Sequence, residues 1–273
     1  MIFTEVLMTK LFSFREGSLY CHRSLDEHPQ PEAFPIHAHE TPEIYLFLSG
    51  RGEYLVEGSR YPLRPGDLLL MRPAETHKLL IEPDEPYLRL AVHFAADQFA
   101  ALDPEGQLLR PFFDRPLGTH NHYPAAQYPK LAGILNDLDP APGAERLMIL
   151  SRVLVLLAEL SSLHSADEKE TVPGGPAPEL VSYVNRHLFE PLSLGSVSRR
   201  FALSTSQVSR LFKEATGTSL WDYVSMKRLL SARARILRGD SAQTACLACG
   251  FADYSAFYRA YKKRFGRAPS DDR

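Results

Sequence analysis

The sequence changes at residues 165–177 from a part that begins with strand patterns to one with helical periodicity throughout. This change constrains the fold more than any other feature. The segment reads SADEKETVPGGPA and combines charges, Gly and Pro without apolar periodicity, which is typical of a linker. Before residue 125 the sequence shows short strand patterns between Gly/Pro turns, whereas the later periodicity is helical. Because 273 residues are enough for two separate cores, we predict a β domain followed by an all-α domain.

The charge of the chain changes at the same place. Residues 1–175 contain 15 Lys and Arg against 25 Asp and Glu, whereas residues 176–273 contain 16 Lys and Arg against 8 Asp and Glu. The first part therefore has a net charge of −10 and the second a net charge of +8. An acidic half joined to a basic half indicates that the basic half meets a polyanion.

The cysteines and the apolar segments predict a cytoplasmic protein. The odd set Cys21, Cys246 and Cys249 gives no disulfide framework, and no second pair completes a zinc site. The N-terminal residues lack the architecture of a signal peptide. The most apolar run, at 147–163, is interrupted by Arg152 and Glu159, so we predict no membrane span.

Residues 1–124 predict a small antiparallel barrel or sandwich. The strand patterns at 43–48, 53–56, 68–71 and 87–94 are separated by turns rich in Gly and Pro. Two trailing helices are predicted at 128–138 and 144–164, and the second carries a broad apolar stripe. That stripe either packs on the barrel or forms a homodimer seam, so residues 125–164 are a candidate dimer interface.

Metal-ligand side chains cluster in the strand region. His37 and His39 lie two residues apart and Glu43 keeps their parity, so the three would share one strand face. His77 would arrive from a neighbouring strand. Three imidazoles and a carboxylate suit a divalent transition metal, but the same groups also form the polar lining of small-molecule pockets. Three aromatic residues follow in strand register and either line the same cavity or form plain core: Tyr45, Phe47 and Tyr54.

The spacing of these groups resembles that of a known barrel family. The string from His37 to Gly50, with the pattern H-x-H-x3-E-x6-G, resembles the first motif of the cupin barrels. Residues 73–77 resemble the second motif in part, with Glu75 where a Gly is usual. The resemblance implies a cupin-like barrel at 1–124 that senses a small-molecule effector, for which a sugar is one candidate.

The last hundred residues contain the same helical unit twice. In the first unit, Ser193 and Ser204 are placed to cap helices at 194–201 and 205–215 across a short turn. A long helix at 220–237 follows, and its predicted buried anchors are Trp221, Val224, Leu230 and Leu237. The second unit has a helix at 242–249, a turn at Gly250 and a helix at 254–265 capped by Asp253. Both second helices keep a polar, cationic face outside, as helix-turn-helix units do.

The doubled unit resembles a family of regulators. LFKEATG at 211–217 and GFADYSAFYRAYKKRFGRAPS at 250–270 resemble the AraC/XylS family of bacterial transcription regulators, and the resemblance covers 178–273. An acidic cupin-like sensor and a linker before this domain are also that family's layout. The resemblance implies a sequence-specific, ligand-responsive regulator that binds promoter DNA as a homodimer. It further implies contact with RNA polymerase, activation being the commoner outcome.

The family pattern also implies which exposed side chains touch DNA. Base-reading positions fall on two recognition helices: Ser206, Ser209, Arg210, Tyr254, Ser255, Tyr258 and Arg259. Phosphate contacts, which add affinity without reading sequence, fall at Lys213, Lys262, Lys263 and Arg264. The chain departs from the family at Asp272, where a Tyr is usual, and we expect this change to alter packing of the second unit.

Two classes of function remain open from the sequence. The charge asymmetry and the doubled unit favour a DNA-binding regulator that is not an enzyme. The ligand-type set His37, His39, Glu43 and His77 favours a metal-dependent cupin enzyme, or a metal sensor, with an accessory helical domain. The sequence requires no cofactor, although a divalent transition metal fits this set.

Overall fold

A computed structural model of the chain describes residues 9–138, 140–166 and 175–272. The chain divides into two compact units, Met1–Pro173 and Gly174–Arg273. The described residues of the first unit form the strands, three α-helices and short 3-10 turns, and those of the second form helices and loops. This arrangement confirms the predicted fold class, a β domain followed by an all-α domain. The predicted linker at 165–177 lies mostly outside the described residues.

The described part of the first unit contains nine strands. They are β1 (Thr9–Glu16), β2 (Leu19–Asp26), β3 (Glu43–Ser49), β4 (Gly52–Val56), β5 (Ser59–Pro62), β6 (Leu68–Met71), β7 (His77–Ile81), β8 (Tyr87–His93) and β9 (His122–Tyr123). One sheet has the order β1-β2-β8-β3-β6-β9 and the other the order β5-β4-β7. The described strand pairs are antiparallel, and the two sheets enclose a shared interior.

Alternation along β3 separates two apolar cores. Tyr45 and Phe47 point between the sheets and pack with Tyr54 of β4 in the inner core. Ile44 and Leu46 point to the opposite face, because successive side chains on a strand alternate. This outer face is also buried, so both sides of the larger sheet carry apolar residues.

Three helices cover the outer face of the larger sheet: α1 (Arg110–Phe113), α2 (Pro129–Asn136) and α3 (Glu145–Ala166). The outer core takes five α3 residues: Ile149, Val153, Leu156, Leu157 and Leu160. Leu147, near the start of the apolar stripe, is 75% exposed, so the stripe extends beyond the face that packs on the barrel. Apolar residues surround much of the helix, so periodicity alone did not select the buried face. By length and composition, Glu145–His164 could also cross a membrane, but here its buried face packs on the barrel.

Six helices make up the described part of the second unit. They are α4 (Pro176–Arg186), α5 (Leu194–Phe201), α6 (Thr205–Thr216), α7 (Leu220–Leu237), α8 (Ala242–Ala248) and α9 (Tyr254–Phe265). The pairs α5–α6 and α8–α9 are the two helix-turn-helix units, and α7 connects them. Ser193 and Ser204 form capping boxes and Asp253 caps α9, as predicted. Each cap stabilises its helix by about 1 kcal/mol.

Helix α7 buries Val224 and Leu230 as predicted, but not the other two predicted anchors. Trp221 is 44% exposed and Leu237 is 57% exposed, so two of the four predicted anchors are wrong. Tyr223 is buried instead, and its ring packs edge-on against Phe212 of α6 with centroids 5.2 Å apart. Apolar residues occupy neighbouring positions along α7, so its sequence fits several buried faces, and the contact with α6 selects one.

A buried ion pair joins the turn before β7 to the segment after α1. Arg115 donates to both carboxylate oxygens of Glu75 at 2.8 Å, and both side chains are shielded from water. Backbone N–H groups of Arg72 and Gly118 and the Asn121 amide also donate to Glu75. Burial alone would raise the pKa of Glu75, but Arg115 and these donors lower it. Glu75, at the position where cupins have Gly, is therefore a structural anchor.

Replacing Glu75 with Ala should strongly destabilise the first unit. The change leaves the Arg115 guanidinium buried without its carboxylate, and breaking such pairs costs about 3–5 kcal/mol. Calorimetry of the full chain should show a lower transition temperature for this unit. The control Glu53→Ala breaks the exposed pair with Arg60 and should cost at most about 1 kcal/mol. Equal effects of the two changes would contradict the anchoring role.

Candidate nucleic-acid interface and ligand site

The first candidate interface is the outer face of α6. Val208 and Phe212 are fully buried, which turns the residues between them towards solvent. The exposed positions include every contact predicted on this helix: Ser206, Ser209, Arg210 and Lys213. Arg210 Nη1 lies 3.3 Å from Glu214 Oε1, and both side chains are exposed. Exposed pairs contribute little free energy, so Arg210 can exchange Glu214 for another partner at low cost.

The second candidate interface is the outer face of α9. Phe257 and Tyr261 are fully buried and orient the helix. Tyr254 and Tyr258 are 37% and 36% exposed and lie on the outer face of α9. The other predicted contacts on α9 are also exposed: Ser255, Arg259, Lys262, Lys263 and Arg264. The two interfaces therefore share one design, a buried face anchored by at least one aromatic ring and a polar, cationic outer face.

One arginine ties the turn before α9 to the segment that follows α4. Arg228 of α7 donates to the carbonyl oxygens of Leu188, Gly250 and Glu190 at 2.7, 2.6 and 2.8 Å. Gly250 has a φ of 78°, and a Cβ there would lie 2.6 Å from the Phe189 carbonyl oxygen. Only glycine fits this close approach without a backbone shift. The second helix-turn-helix is thus fixed to the rest of its unit at its turn.

A buried carboxylate anchors the C-terminal turn. Asp272 Oδ2 accepts hydrogen bonds from Tyr261 Oη at 2.7 Å and from Arg233 Nε at 2.9 Å. Arg267 approaches the other oxygen at 3.3 Å. Burial alone would raise the pKa of Asp272, but these hydrogen bonds lower it. The departure from the family pattern at Asp272 therefore adds an anchor that links α9, through Tyr261, to α7, through Arg233.

Replacing Asp272 with Asn should loosen α9 from α7. Losing charge-assisted hydrogen bonds costs about 2 kcal/mol. Because folding lowers the pKa of Asp272, its contribution exists above about pH 4 and disappears as the pH falls further. Urea unfolding followed by fluorescence of Trp221, the only tryptophan, should show a lower midpoint for the variant at neutral pH. At about pH 3 the difference should shrink.

The control for Asp272→Asn is Arg267→Gln, which removes only an exposed partner of the same carboxylate. Its cost should stay below about 0.5 kcal/mol. A midpoint for Asp272→Asn that matches the wild type at neutral pH would show that the carboxylate is no anchor.

The structure brings together all four predicted ligand-type side chains in the first unit. Glu43 Oε2 lies 3.1 Å from His39 Nε2 and 3.2 Å from His77 Nε2. His37 and His77 exchange two backbone hydrogen bonds, of 3.0 and 2.9 Å, and their ring centroids lie 4.3 Å apart. His93 joins the group, with Nε2 3.9 Å from Glu43 Oε1. We call these five residues the histidine cluster.

The donor atoms of the histidine cluster form two overlapping triads. His37, His39 and His77 form one triad, and His39, Glu43 and His93 form the other. Within each triad the ligand atoms lie within 4.8 Å of one another. His93 was missed in the sequence because no motif includes it. It lies directly opposite Glu43 in the β3–β8 register, and the pairing of two strands so distant along the chain leaves no local signal.

Backbone carbonyls fix the tautomers of two histidines. Nδ1 of His37 lies 2.9 Å from the Pro35 carbonyl oxygen, and Nδ1 of His77 lies 2.9 Å from that of Glu75. Because a carbonyl only accepts, both Nδ1 atoms carry the hydrogen, and Nε2 of each neutral ring presents a lone pair. His77 Nε2 and Glu43 Oε2 are buried and lie 3.2 Å apart, a distance across which a charged His77 would donate a hydrogen bond to the carboxylate. This contact is unfavourable unless a cation or a proton lies between the two atoms.

Burial favours the neutral form of His37 and His93, whereas the Glu43 carboxylate favours a charged His77 through its effect on the pKa. Burial lowers the pKa of His37 to about 3 and that of His93 to about 4. Burial alone would raise the pKa of Glu43, but the neighbouring His93 and His39 hold it well below its usual range. Burial opposes charge on His77, yet the Glu43 carboxylate raises its pKa. Neutral imidazoles with a carboxylate are a donor set that fits a divalent transition metal.

The aromatic side chains predicted for the pocket belong to the adjoining inner core. The Tyr54 ring lies 5.8 Å from the His77 ring and 4.8 Å from the Tyr45 ring, measured between centroids. Tyr45 Oη lies 2.6 Å from Tyr87 Oη, and Phe47 packs on Tyr87 at 6.1 Å. The structure thus places Tyr54 next to the histidine cluster and Tyr45 behind it, with Phe47 farther along the same buried wall.

Two family models match the chain, one in each unit. An AraC-like ligand binding domain matches residues 23–157, and a helix-turn-helix domain matches residues 197–273. The HTH-type transcriptional activator RhaS of Yersinia pseudotuberculosis serotype I (strain IP32953) is 26% identical over 247 residues, which cover 88% of this chain and 89% of the relative. RhaS of Escherichia fergusonii is 27% identical over 255 residues, which cover 88% of each chain.

Solved structures are also similar to this chain. ToxT from Vibrio cholerae O395 is 12% identical with a TM-score of 0.37 and covers 94% of this chain and 97% of its own. The DNA-binding domain of AdpA, solved in complex with a target DNA, is 23% identical with a TM-score of 0.34 and covers 36% and 89%. Because the two domain matches lie in the two units and the RhaS relatives align over most of the sequence, the chain belongs to the AraC family and is a DNA-binding, ligand-responsive transcription regulator.

Proposed function

We propose that the protein activates transcription from a promoter that both of its helix-turn-helix units bind. The observation that carries this proposal is the matched design of α6 and α9, each with exposed hydrogen-bonding residues and cations opposite a buried face. The relatives named transcriptional activators support activation rather than repression. Activation would proceed through a contact between the DNA-bound protein and RNA polymerase.

The two recognition helices would read successive major-groove segments about 34 Å apart. We assign base reading to Ser206, Ser209, Arg210, Tyr254, Ser255, Tyr258 and Arg259. We assign phosphate contacts to Lys213, Lys262, Lys263 and Arg264. Arg210 is the strongest discriminator, because a guanidinium can pair with guanine O6 and N7 at once. A hydroxyl can form a hydrogen bond with several different bases and therefore discriminates less.

The interior of the barrel is the proposed effector site. Polar groups of the histidine cluster adjoin the aromatic rings of Tyr45 and Tyr54, with Phe47 beyond them. Such a wall offers hydrogen bonds on one side and ring faces on the other, which suits a small hydroxylated molecule such as a sugar. An effector that binds one conformation better than another would change the population able to bind DNA.

A homodimer formed through α3 would cover the remaining apolar surface of this helix. Leu147 and Val155 are exposed, and Leu150 and Leu154 are only partly buried. A second copy of the same helix would remove these side chains from water. A dimer with two-fold symmetry would also match two copies of a DNA site.

The second candidate function is a metal-dependent enzyme, or a metal sensor, built on the histidine cluster. The donor set of that cluster favours it. We prefer a regulator without catalytic activity, because the basic second unit carries two complete helix-turn-helix units. Substrate turnover that His39→Ala abolishes would favour an enzyme, and DNA binding that changes with added metal would favour a metal sensor.

Arg210→Ala and Lys262→Ala should separate base reading from phosphate binding. Arg210→Ala should lower discrimination between the protein's own upstream DNA and scrambled DNA by about 1–3 kcal/mol. Lys262→Ala should weaken binding to both DNAs equally and reduce the slope of log affinity against log salt concentration by about 1. Fluorescence anisotropy at several salt concentrations measures both quantities.

Two control variants accompany these measurements. Glu214→Ala removes the exposed partner of Arg210 but leaves the reading group, so discrimination should persist. Lys130→Ala removes an exposed cation from the first unit and should leave the salt slope unchanged. If Arg210→Ala and Lys262→Ala lost equal affinity on both DNAs, the assignment of their roles would be wrong.

A further inference from the structure

We propose that the interior of the first unit binds a hydroxylated carboxylic acid of the sugar-acid class, whose carboxylate pairs with Arg89 and whose hydroxyl donates to Asp26. Neither residue belongs to the histidine cluster or to the aromatic set predicted from the sequence. The inference rests on the proposed function in taking the barrel interior as the effector site. It goes further in assigning the effector a negative charge, which a neutral sugar lacks.

Two neighbouring strands place polar side chains on the interior face of the larger sheet. In the antiparallel β2–β8 pair, Ser24 lies directly opposite Arg89, and Asp26 lies directly opposite Tyr87. Tyr87 belongs to the inner core, and residues that are directly opposite one another or two apart along a strand share a face. Ser24, Asp26 and Arg89 therefore lie on the inner side, whereas Leu90 lies in the outer core.

Arg89 brings a permanent positive charge into this interior. Its Cζ atom lies 4.9 Å from the ring centroid of Tyr87 and 5.6 Å from that of Phe34. Burial opposes the charge, but Tyr87, Tyr45 and Tyr54 raise the pKa of Arg89, and the Tyr87 hydroxyl accepts a hydrogen bond from it. Because an arginine side chain stays charged in proteins, the fold holds a cation among aromatic rings.

The polar groups around Arg89 leave its charge in place. Burial, together with the charge of Arg89, lowers the pKa of His22 to about 3, so this imidazole is neutral near neutral pH. His22 Nδ1 lies 2.9 Å from Ser24 Oγ, which adds a second neutral group. The Glu43 carboxylate lies 3.2 Å from His77 and so has its counter-charge within the histidine cluster. A ligand in this interior would therefore meet a positive potential at Arg89.

A carboxylate suits Arg89 better than an uncharged group does. A guanidinium presents its N–H donors in one plane, and a carboxylate can accept two parallel hydrogen bonds from it. Such charge-assisted hydrogen bonds are about twice as strong as those between neutral groups. A carboxylate also offsets the cost of holding a cation away from water, which a sugar hydroxyl does not. Arg89 is only partly buried, as access for a ligand requires.

Asp26 gives the site an acceptor for a ligand hydroxyl. It is 3% exposed, and its Oδ1 accepts a hydrogen bond from the backbone N–H of His28 at 3.2 Å. Its Oδ2 is buried and has no hydrogen-bond donor within the described parts of the chain. Such an oxygen is unfavourable, and a ligand hydroxyl would satisfy it. Asp26 lies two residues beyond Ser24 on β2, about 7 Å along the strand, so one small polyhydroxy acid can reach both Asp26 and Arg89.

Matched pairs of neutral and acidic sugars test the proposal on the full chain. Galactose and galacturonate, and likewise glucose and glucuronate, differ only at one carbon, where the acid carries a carboxylate. We expect at least one acid, added at about 10 mM, to raise the unfolding temperature, because a ligand that binds the folded state stabilises it. Isothermal titration calorimetry should give that acid an affinity at least about 10-fold higher than that of its neutral partner.

Variants of the two proposed ligand contacts identify the source of this preference. Arg89→Gln should weaken binding of the acid by about 10- to 100-fold, because it removes the charge. Arg89→Lys keeps the charge without the planar fork and should give an intermediate affinity. Asp26→Asn should weaken binding by about 5-fold, because an amide oxygen is a weaker acceptor than a carboxylate oxygen. The control Arg51→Gln removes an exposed arginine of the same unit and should leave the affinity unchanged.

Each ligand-induced shift is compared with the ligand-free form of the same variant, so a change in basal stability does not enter. Stabilisation by a neutral sugar but not by its acid would refute the negative charge of the effector and would still support the effector site. Equal binding of the acid by wild type and Arg89→Gln would refute the role of Arg89. Failure of every acid to bind would overturn the inference. Discrimination between DNAs, which Arg210→Ala measures, does not depend on any of these results.

Discussion

Each unit is fixed by a buried carboxylate paired with an arginine. Glu75 meets Arg115 in the first unit, and Asp272 meets Arg233 in the second. A charge removed from water is tolerated only with partners in fixed positions, so each pair locks two distant segments together. In the first unit the locked segment orients His77, and in the second it holds α9 through Tyr261. These buried ion pairs therefore position His77 in the first unit and helix α9 in the second.

The long helix α7 contacts both helix-turn-helix units and thereby sets the distance between the two reading helices, α6 and α9. Tyr223 packs against α6, Arg228 binds the turn at Gly250, and Arg233 reaches Asp272. Contacts to both helix-turn-helix units thus come from one continuous helix. Because these contacts include buried rings and charge-assisted hydrogen bonds, the two reading helices cannot shift without breaking them. A fixed spacing is what recognition of two successive major-groove segments requires.

Local sequence signals predicted the elements well but not the distant contacts. The caps at Ser193, Ser204 and Asp253 and both helix-turn-helix units could be predicted because capping and periodicity act within a few residues. The buried face of α7 could not, because apolar residues occupy several faces and packing on α6 decides among them. His93 and the Glu75–Arg115 pair could not be predicted either. Both depend on segments that only the folded barrel brings together.

Hydroxyl-radical footprinting on the protein's own upstream DNA tests the central claim most directly, namely that α6 and α9 bind as one rigid pair of readers. A rigid pair of readers should protect two segments on one face of the duplex, separated by about one helical turn of DNA. Inserting half a turn between them should remove protection of one segment, because α7 cannot stretch or rotate to follow. A single protected segment, or two segments that tolerate the insertion, would contradict the account.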